Sequence, residues 1–394
     1  MRVVLNGWFI DQPNTGSGQY LRQLIARLPV LGPQHDYHLI APHRNAFQVV
    51  DLNADFELRI AEFVQSEIRT PKSNFRKVLF EQSLIPRAAH ALRADVMHVP
   101  YWAPPLNARV PIVVTIHDII PLLLKEYRGG PLARLYTGLV AAAARGSSLI
   151  LTDSEASKRD IIRHLGVPES HVRVVYLAAD PRYSPRPSAL DRAAVRRKYD
   201  LPDHYVLYLG GFDPRKNVET ALQLYTWGQD AIGQTHPLVV AGRLPETGDG
   251  FFVDPRQVAK QIGVEDVVRF IGEVDEADKA ALYQGATAFV YPSRYEGFGL
   301  PALEALACGV PVVGSDASSI PEVVGDAGML VAPDDARAMA GALIAVVSEP
   351  PLHAALSERA VNQAARFSWE ETVRETVAAY ESAVDPRILT HAHA

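Results

Sequence analysis

Short apolar segments alternate with longer segments of helical periodicity along almost the whole chain. The apolar segments are rich in Val and Ile and are bounded by Gly, Pro or Asp, which indicates strands buried on both faces. Because helical segments such as 217–232 and 334–347 separate them, we expect parallel sheets of the α/β class with right-handed crossovers. The segments are RVVLNG, YHLIAP, DVMHVP, PIVVTIHD, LILTDS and VRVVYL, then YVLYLG, PLVVAG, VVRFIG, AFVYPS, PVVGSD and GMLVAP.

The length of the chain, 394 residues with 48% hydrophobic residues, favours two domains over a single core. The segment AADPRYSPRPS at 178–188 holds three prolines and lacks an apolar period, as expected of a linker. We therefore predict doubly wound domains at 1–183 and 184–366. The remaining segment, 367–394, contains a helix that is a candidate to pack back onto the first domain, followed by a loose tail. The default ligand site is a cleft between the domains, beyond the carboxyl ends of the strands.

The composition excludes several functional classes. A net charge of −6 and a pI near 6.1 argue against a broad nucleic-acid-binding surface. The single cysteine, Cys308, excludes an intrachain disulfide framework and suits the reducing cytoplasm. The sequence contains no apolar stretch of membrane-spanning length, no His/Cys cluster with metal spacing and no serine nucleophile elbow. We expect the N-terminal MRVVLNGWFI to be a buried strand rather than a signal peptide.

The segment LYLGGFDPRKNVETAL, at 207–222, places two cations where a strand meets a helix. The strand ends in Gly210 and Gly211, and Arg215 and Lys216 are expected to open the helix. Cations at a helix N-terminus oppose the macrodipole, so this arrangement calls for a compensating anion. A pyrophosphate fits, because Arg binds it as a planar fork and Lys as a point charge. The alternative is a solvated surface helix in which Asp213 is the partner of the cations.

Two glutamates flank a glycine turn in SRYEGFGLPALEALACGVPVV, at 293–313. Glu296 lies in the turn, Pro301 fits the first position of a helix that Gly309 ends, and Glu304 lies one turn into that helix. Each carboxylate is able to accept hydrogen bonds from sugar or ribose hydroxyls. The alternative is a solvated Glu296, with Glu304 compensating the helix dipole. Three backbone N–H groups at the helix start are expected to face an anion, those of Phe298, Gly299 and Leu300.

Two further motifs stand where predicted strands end. In NTGSGQY, Gly16 and Gly18 would let the backbone approach a ligand, although a simple tight turn is an equal alternative. The motif lacks the third glycine of the dinucleotide fingerprint. In VVTIHDIIPLL, His117 and Asp118 end a buried strand, the favoured location for ligand contacts. A purely structural histidine is the alternative there.

Together these motifs resemble the retaining, nucleotide-sugar-dependent glycosyltransferases of family 4, and the likeness covers essentially the whole chain. Its most specific parts are GGFDPRKN and YEGFGLPALEALACGVPVV, followed by SDASSIPEVVGDAGMLVAP. The resemblance implies the GT-B fold, in which two Rossmann-like domains face each other across a cleft. It implies that the first domain binds the acceptor and the second the donor. A looser likeness to mannosyltransferases makes GDP-mannose the first expected donor, with UDP-sugars left open.

The resemblance also implies roles for single residues. Arg215 and Lys216 would neutralise the donor diphosphate, Glu304 would bind the ribose, Glu296 would hold donor-sugar hydroxyls, and His117 would lie near the sugar and its leaving group. In the N-terminal loop this chain departs from the family, where many members have adjacent glycines, because Ser17 separates them. The remaining donor-binding positions would act through their backbone: Gly16, Gly18, Gly211, Gly297, Phe298, Gly299 and Leu300.

The expected reaction transfers a hexosyl group to an acceptor hydroxyl with retention, and it needs neither a metal nor a cofactor. The acceptor is expected to be a glycan, a lipid-linked sugar or a natural product, and Glu296 is expected to position the donor rather than attack it. The basic, partly apolar segment 68–86, with Arg69, Lys72, Arg76 and Lys77, is expected to be a core-packed helix with a solvated basic side. The alternatives for this segment are peripheral contact with the inner membrane face and guidance of an anionic acceptor. The alternatives are a GT-B epimerase or a sucrose- or glycogen-type synthase, a non-catalytic nucleotide-sugar-binding protein and a Rossmann oxidoreductase.

Overall fold

The computed structural model describes residues 1–13, 15–43, 46–52, 74–185, 189–245 and 250–385. The chain forms two compact units, Met1–Leu177 with Trp369–Ala394, and Ala178–Ser368. The sequence placed these divisions after residues 183 and 366. Tyr183 explains part of the difference, because it is buried in the second unit with its ring centroid 5.8 Å from that of Tyr283.

The first unit is built on a seven-stranded sheet in the order β3-β2-β1-β4-β5-β6-β7. All neighbours are parallel except β3, which pairs antiparallel with β2 at the edge. The sequence did not predict β3, because no helical segment separates it from β2. The strands are β1 (Arg2–Asn6), β2 (Asp36–His43), β3 (Ala46–Asp51), β4 (Val96–Val99), β5 (Ile112–Thr115), β6 (Leu149–Thr152) and β7 (Val172–Val174).

The C-terminal helix Trp369–Val384 belongs to this first unit. It packs against the helix Gly16–Leu31 and strands β4 to β6, where His98 Nδ1 lies 2.7 Å from Tyr380 Oη. The remaining α-helices of the unit are Asn74–Leu79, Ile85–Ala91, Ile120–Leu123, Pro131–Arg145 and Glu155–Leu165. A π-helical turn, Phe80–Leu84, joins the first two of these, and 3₁₀ turns occur at Lys125–Tyr127 and Glu169–His171.

The second unit has a fully parallel six-stranded sheet in the order β10-β9-β8-β11-β12-β13. Its strands are β8 (Val206–Leu209), β9 (Leu238–Ala241), β10 (Val268–Gly272), β11 (Ala288–Tyr291), β12 (Val312–Ser315) and β13 (Gly328–Val331). Its α-helices are Ala189–Lys198, Val218–Gly228, Pro255–Ile262, Lys279–Gly285, Leu300–Ala307, Ile320–Val324, Ala336–Ser348 and Pro350–Ala364. The shorter turns are Pro214–Lys216, Gln229–Gly233 and Glu265–Val267.

The strand orders confirm the prediction of two doubly wound, Rossmann-like units. Each sheet has one switch point, where the connections of two adjacent strands lead in opposite directions: β1/β4 in the first unit and β8/β11 in the second. Ligands of such sheets bind outside the carboxyl ends of the strands at these points. The loops that follow β8 and β11 carry GGFDPRKN and RYEGFG, so topology brings these two motifs together.

Within the described part of the chain, no single helix is both long and apolar enough to cross a bilayer. One bent pair, Ala336–Ser348 with Pro350–Val384, meets the length and composition criteria only when taken together.

Candidate functional site

Arg215, Lys216 and Glu296 form one buried charge cluster at the switch point of the second unit. Arg215 Nη1 donates to Glu296 Oε2 at 2.8 Å, and Lys216 Nζ donates to Glu296 Oε1 at 2.6 Å. The three side chains are only 20%, 13% and 9% exposed. Asp213 Oδ1 lies 3.3 Å from Arg215 Nε, and Lys216 Nζ lies 5.5 Å from the centroid of the Tyr291 ring. Two cations therefore share one principal carboxylate.

This geometry corrects two predictions. Arg215 and Lys216 do not open the α-helix, because they lie in the 3₁₀ turn Pro214–Lys216 and the helix begins at Val218. Nor are the cations unpaired, since Glu296 binds both of them. The alternatives are wrong as well: Glu296 is 7% exposed rather than solvated, and Asp213 is a partner of Arg215 in a buried cluster rather than on an open helix.

The electrostatics of the cluster favour an ionised Glu296. Burial alone would raise the pKa of Glu296, but Lys216 and Arg215 outweigh it and lower the pKa to about 2. Burial lowers the pKa of Lys216, an effect that Glu296 opposes and that the charge of Arg215 reinforces. Buried charges of this kind are costly unless paired. An incoming diphosphate would offer the two cations more negative charge than one carboxylate does.

Asn217 fixes the loop that carries the cations. Its backbone is left-handed, with φ of 54°, and its Nδ2 donates to the carbonyls of Pro292 and Pro333 at 3.1 and 2.7 Å. Asn tolerates this conformation better than most residues because its short polar side chain bonds to nearby backbone. Arg294 Nη1 donates to the Pro214 carbonyl at 2.7 Å, which ties the two motif loops together from the other side. Sequence analysis assigned neither residue a role.

The glycine turn after Glu296 is supported by two serines. Ser318 Oγ donates to the Glu296 carbonyl at 2.6 Å, and Ser319 Oγ donates to the Phe298 carbonyl at 2.6 Å. Gly299 has φ of 114°, a conformation open in practice only to glycine, and it immediately precedes the helix Leu300–Ala307. The backbone of Gly297 to Leu300 thus has a fixed course from the charge cluster to the helix start.

Gly211 also lies beside the cluster, and a Cβ on it would approach Asp213 Oδ2 at 3.1 Å. Glycine at this position therefore avoids a tight contact between a side chain and the Asp213 carboxylate. In the same unit Asp335 caps the helix Ala336–Ser348 by accepting from Ala338 N at 2.9 Å.

Glu304 lies apart from the cations among tyrosines. It is 9% exposed, and Tyr283 Oη donates to its Oε2 at 3.1 Å. Burial raises the pKa of Glu304 to about 7, although Lys279 and the tyrosine hydroxyl act in the opposite direction. The carboxyl group therefore changes its charge near neutral pH, which matters if it accepts hydrogen bonds from a ribose.

We expect donor binding to weaken as the pH falls through about 7, because a protonated Glu304 loses acceptor capacity. The Glu304→Gln variant should bind a nucleotide sugar roughly tenfold less tightly at pH 8 and lose most of this pH dependence. Calorimetric titrations between pH 6 and 8.5 measure both effects. Cys308→Ala, which changes a buried neighbour without a carboxyl group, is the control. A pH profile unchanged by Glu304→Gln would contradict the assignment.

The raised pKa of Glu304 also makes the free energy of unfolding fall as the pH rises. The folded state holds a proton on Glu304 at pH values where the unfolded chain, near 4.5, has lost it. Its contribution to the free energy of unfolding is therefore complete below pH 4.5 and is lost as the pH rises towards 7.

In the first unit, Gly16 and Gly18 lie in the opening turn of the helix Gly16–Leu31 rather than in a free loop. Thr15 caps this helix by accepting from Gly18 N at 3.1 Å. A Cβ on Gly18 would come within 1.9 Å of the Gln12 carbonyl oxygen, so close packing requires this glycine. A Cβ on Gly16 would meet nothing within 4 Å. Of these two glycines, only Gly16 has open space where a side chain would lie. Asn14, the first residue of the motif, lies outside the described residues.

His117 follows β5 and pairs with a buried acid that follows β6. Its Nδ1 lies 2.7 Å from Asp153 Oδ2, and Asp153 is 2% exposed. Tyr20 packs edge-to-face on the imidazole, with centroids 5.2 Å apart. His117 Nε2 makes no hydrogen bond of good geometry with the described residues, although the Pro100 carbonyl is close enough to influence its pKa. The structure thus fixes one ring nitrogen through Asp153, while the Pro100 carbonyl lies close to the imidazole.

Burial lowers the pKa of His117, but Asp153 and, less strongly, Asp118 raise it to a value above the usual 6.5. Asp118 itself accepts a hydrogen bond from Ile120 N at 3.0 Å, at the start of the helix Ile120–Leu123. Sequence analysis singled out His117 and Asp118 but missed Asp153. The sequence did contain a pattern that indicates Asp153. The segment LILTDS ends in polar residues after a buried strand, as the segment PIVVTIHD does.

We expect Asp153→Asn to lower the pKa of His117 by about one unit or more, since it removes the charge that stabilises the imidazolium. Nitrogen-15 NMR titration of histidine-labelled protein measures this directly. Asp118→Asn, the matched control, should shift the pKa less. Equal shifts in both variants would refute a specific role for Asp153.

The ion pair of His117 and Asp153 also stabilises the folded state below pH 6.5. This contribution to the free energy of unfolding is lost as the pH rises through the pKa of His117 in the folded protein.

The structure thus brings Arg215, Lys216 and Glu296 together, and it separately packs Tyr20 on His117 in the first unit. Of the basic segment 68–86, Arg69 and Lys72 lie outside the described residues. Across the described ranges, no group of three or more His, Cys, Asp or Glu side chains is arranged to hold a metal ion.

Comparisons with known proteins bear on the family and the fold. Residues 14–183 match Glycosyltransferase Family 4, and residues 191–363 match Glycosyl transferases group 1. O-antigen chain mannosyltransferase B of Escherichia coli is 32% identical over 391 residues, 97% of this chain and 100% of that protein. The serotype-specific mannosyltransferase WbdA of E. coli is 30% identical over 264 residues, 66% of this chain and 32% of its own length. The solved structure of Anabaena HepE with UDP and glucose has a TM-score of 0.69 at 19% identity, covering 97% of this chain and 99% of that one.

Proposed function

The chain belongs to family 4 of the glycosyltransferases, and we propose that it transfers a hexosyl group, in the first instance mannose from GDP-mannose, to a glycan hydroxyl with retention. The observation that carries this proposal is the buried cluster of Arg215 and Lys216 around Glu296 at the β8/β11 switch point. The names of the mannosyltransferase relatives favour mannose, and the O-antigen chain in one of these names favours a glycan acceptor.

Arg215 and Lys216 are the groups suited to the departing diphosphate. As the bond between the anomeric carbon and the phosphate oxygen breaks, its electron pair passes to the phosphate and negative charge grows there. Preorganised cations in a buried site stabilise such developing charge more than the ground state. The acceptor oxygen forms the new bond on the same face, and its proton passes to the departing phosphate.

Glu296 would exchange its partners when the donor binds. In the structure its two oxygens accept from Arg215 and Lys216. A diphosphate that takes over these cations frees the carboxylate for donor-sugar hydroxyls, which it would hold without attacking the anomeric carbon. Glu304, with its separate tyrosine environment, is the proposed ribose ligand, and His117 is proposed to act near the donor sugar.

A nucleotide-release assay over GDP-, UDP- and dTDP-sugars tests the proposal. With a mannan-type oligosaccharide as acceptor, we expect the highest turnover with GDP-mannose and a product with retained configuration by NMR. EDTA should leave the rate within about twofold, since Arg and Lys supply the charge stabilisation. Conversion of the nucleotide sugar without acceptor would instead indicate an epimerase. Activity lost in EDTA and restored by magnesium or manganese would contradict the metal-independent mechanism.

We further propose that transfer occurs in the cytoplasm at the inner membrane face. Leu132 and Leu135, on the helix Pro131–Arg145, are 83% and 71% exposed, and Arg128 and Arg134 are exposed nearby in sequence. Exposed apolar and cationic side chains together suit an anionic bilayer. Sedimentation with phosphatidylglycerol vesicles should fall when both leucines are changed to serine, and equal sedimentation of both proteins would refute this surface.

A further inference from the structure

The switch point of the first unit carries a second cluster of polar and aromatic side chains, which the proposed donor contacts do not use. Phe9 follows β1, while Tyr101 and Trp102 follow β4, so these three residues flank the point where the strand connections diverge. Asn6 Nδ2 donates to Tyr101 Oη at 2.9 Å across the switch point. Phe9 packs edge-to-face on Tyr101, with centroids 4.8 Å apart. This edge is where a doubly wound sheet binds its ligand.

A buried carboxylate lies in the same cluster. Glu81 is 1% exposed in the π-helical turn Phe80–Leu84, a conformation often found at functional sites. Tyr136 Oη donates to Glu81 Oε2 at 2.7 Å, and Lys77 Nζ lies 3.7 Å from Glu81 Oε1. The same ammonium lies 5.2 Å from the ring centroids of both Phe9 and Tyr101. The charge of Lys77 is thus already compensated, so the cluster does not call for an anion.

Two buried polar atoms of the cluster are poorly satisfied. Trp102 Nε1, a donor, makes no hydrogen bond of good geometry with the described residues. Glu81 Oε1, an acceptor, lies beside Lys77 and Tyr101 but accepts no hydrogen bond of good geometry from the described residues. Gln82 pins the loop of Trp102 to the helix of Glu81, because it donates to the Pro104 carbonyl at 3.2 Å and accepts from Leu106 N at 2.9 Å. Buried groups of this kind are normally satisfied, so each needs an explanation.

A sugar hydroxyl satisfies both kinds of group, because it can donate to a carboxylate and accept from an indole N–H. Partly exposed aromatic rings such as Phe9, Trp102 and Tyr136 provide apolar faces for the C–H side of a pyranose. We propose that Phe9, Lys77, Glu81, Tyr101, Trp102 and Tyr136 form the subsite that binds a neutral pyranose of the acceptor glycan. This inference rests on the proposed transfer to a glycan and assigns that role to specific side chains.

Saturation-transfer NMR with methyl α-mannopyranoside and an α-mannobiose tests the subsite. Saturating GDP is added so that the nucleotide and diphosphate part of the donor site is filled in every measurement. We expect saturation transfer from the wild-type protein to both saccharides, and roughly tenfold weaker saccharide binding in Glu81→Gln and Trp102→Phe. Trp369→Phe is the matched control, because it removes another buried indole N–H without a partner, at the C-terminal helix. Its saccharide binding should equal that of the wild type.

Unchanged binding in both subsite variants, or no saturation transfer from the wild-type protein to either saccharide, would overturn the proposal. Loss of GDP affinity in these variants would also contradict it, since the subsite is not part of the donor site. If Glu81→Gln does not fold, Tyr136→Phe removes one hydrogen bond to the same carboxylate and should weaken binding severalfold. Saccharide binding that depends on Glu81, without turnover of any nucleotide sugar, would refute the transferase proposal and leave the subsite intact.

Discussion

Replacing Lys216 with alanine is expected to lower kcat/KM for sugar transfer about a thousandfold, the loss typical of removing one preorganised charge from a transition state. Lys216 is 13% exposed and lies 2.6 Å from Glu296, so its charge acts in a poorly solvated site. The variant should stay folded, because Arg215 still pairs with Glu296 at 2.8 Å. The rate is measured as nucleotide release with GDP-mannose and acceptor.

Lys198→Ala is the matched control for this prediction. Lys198 also sits between two carboxylates, those of Asp275 and Asp278, but its side chain is 48% exposed. Pairs at such exposed positions contribute little, so transfer should change by less than about twofold. A Lys216→Ala rate within tenfold of wild type would remove Lys216 from the mechanism.

Replacing Glu296 with glutamine is expected to separate donor-diphosphate binding from transfer. Transfer should fall about a hundredfold, because the amide binds sugar hydroxyls less strongly than a carboxylate does. Affinity for GDP alone should stay the same or rise, since the internal counter-charge of Arg215 and Lys216 is gone. Calorimetry with GDP and rate measurements with GDP-mannose give the two values.

The Asp213→Asn variant controls for the loss of any carboxylate near Arg215, whose Nε it approaches at 3.3 Å. It should affect transfer less than Glu296→Gln does. A large loss of GDP affinity in Glu296→Gln would contradict the proposed exchange of partners. Covalent trapping of a sugar on Glu296 would show that it attacks the anomeric carbon instead of positioning the donor.

The sequence predicted much of the fold because buried parallel strands have a local signature. All the quoted apolar segments contain or overlap strands, and the helix that begins beside Pro301 ends at Cys308–Gly309, with Gly309 at φ of 76°. The edge strand β3 was missed because the prediction depended on alternation with helices. Strand β3 follows β2 without an intervening helix and pairs antiparallel with it, so it does not fit that alternation.

The contacts of the candidate site were harder to predict because they join distant positions. Arg215 and Glu296 are 81 residues apart, and only the β8/β11 adjacency brings their loops together. The pairing therefore depends on strand order, which periodicity does not provide. The same holds for His117 and Asp153, which meet because β5 and β6 are neighbours. Likewise, the left-handed backbone of Asn217 depends on the carbonyls of two other loops.

Comparing GDP with GMP tests the central claim most directly, because the two ligands differ by the phosphate that Arg215 and Lys216 are proposed to bind. Calorimetric titration of the wild-type protein should show GDP binding at least about thirtyfold more tightly than GMP, as expected for new charge-assisted hydrogen bonds. In Lys216→Ala this preference should shrink to a few-fold. Equal affinity of the wild type for the two nucleotides, or an undiminished preference in Lys216→Ala, would contradict the assignment of this cluster to the donor diphosphate.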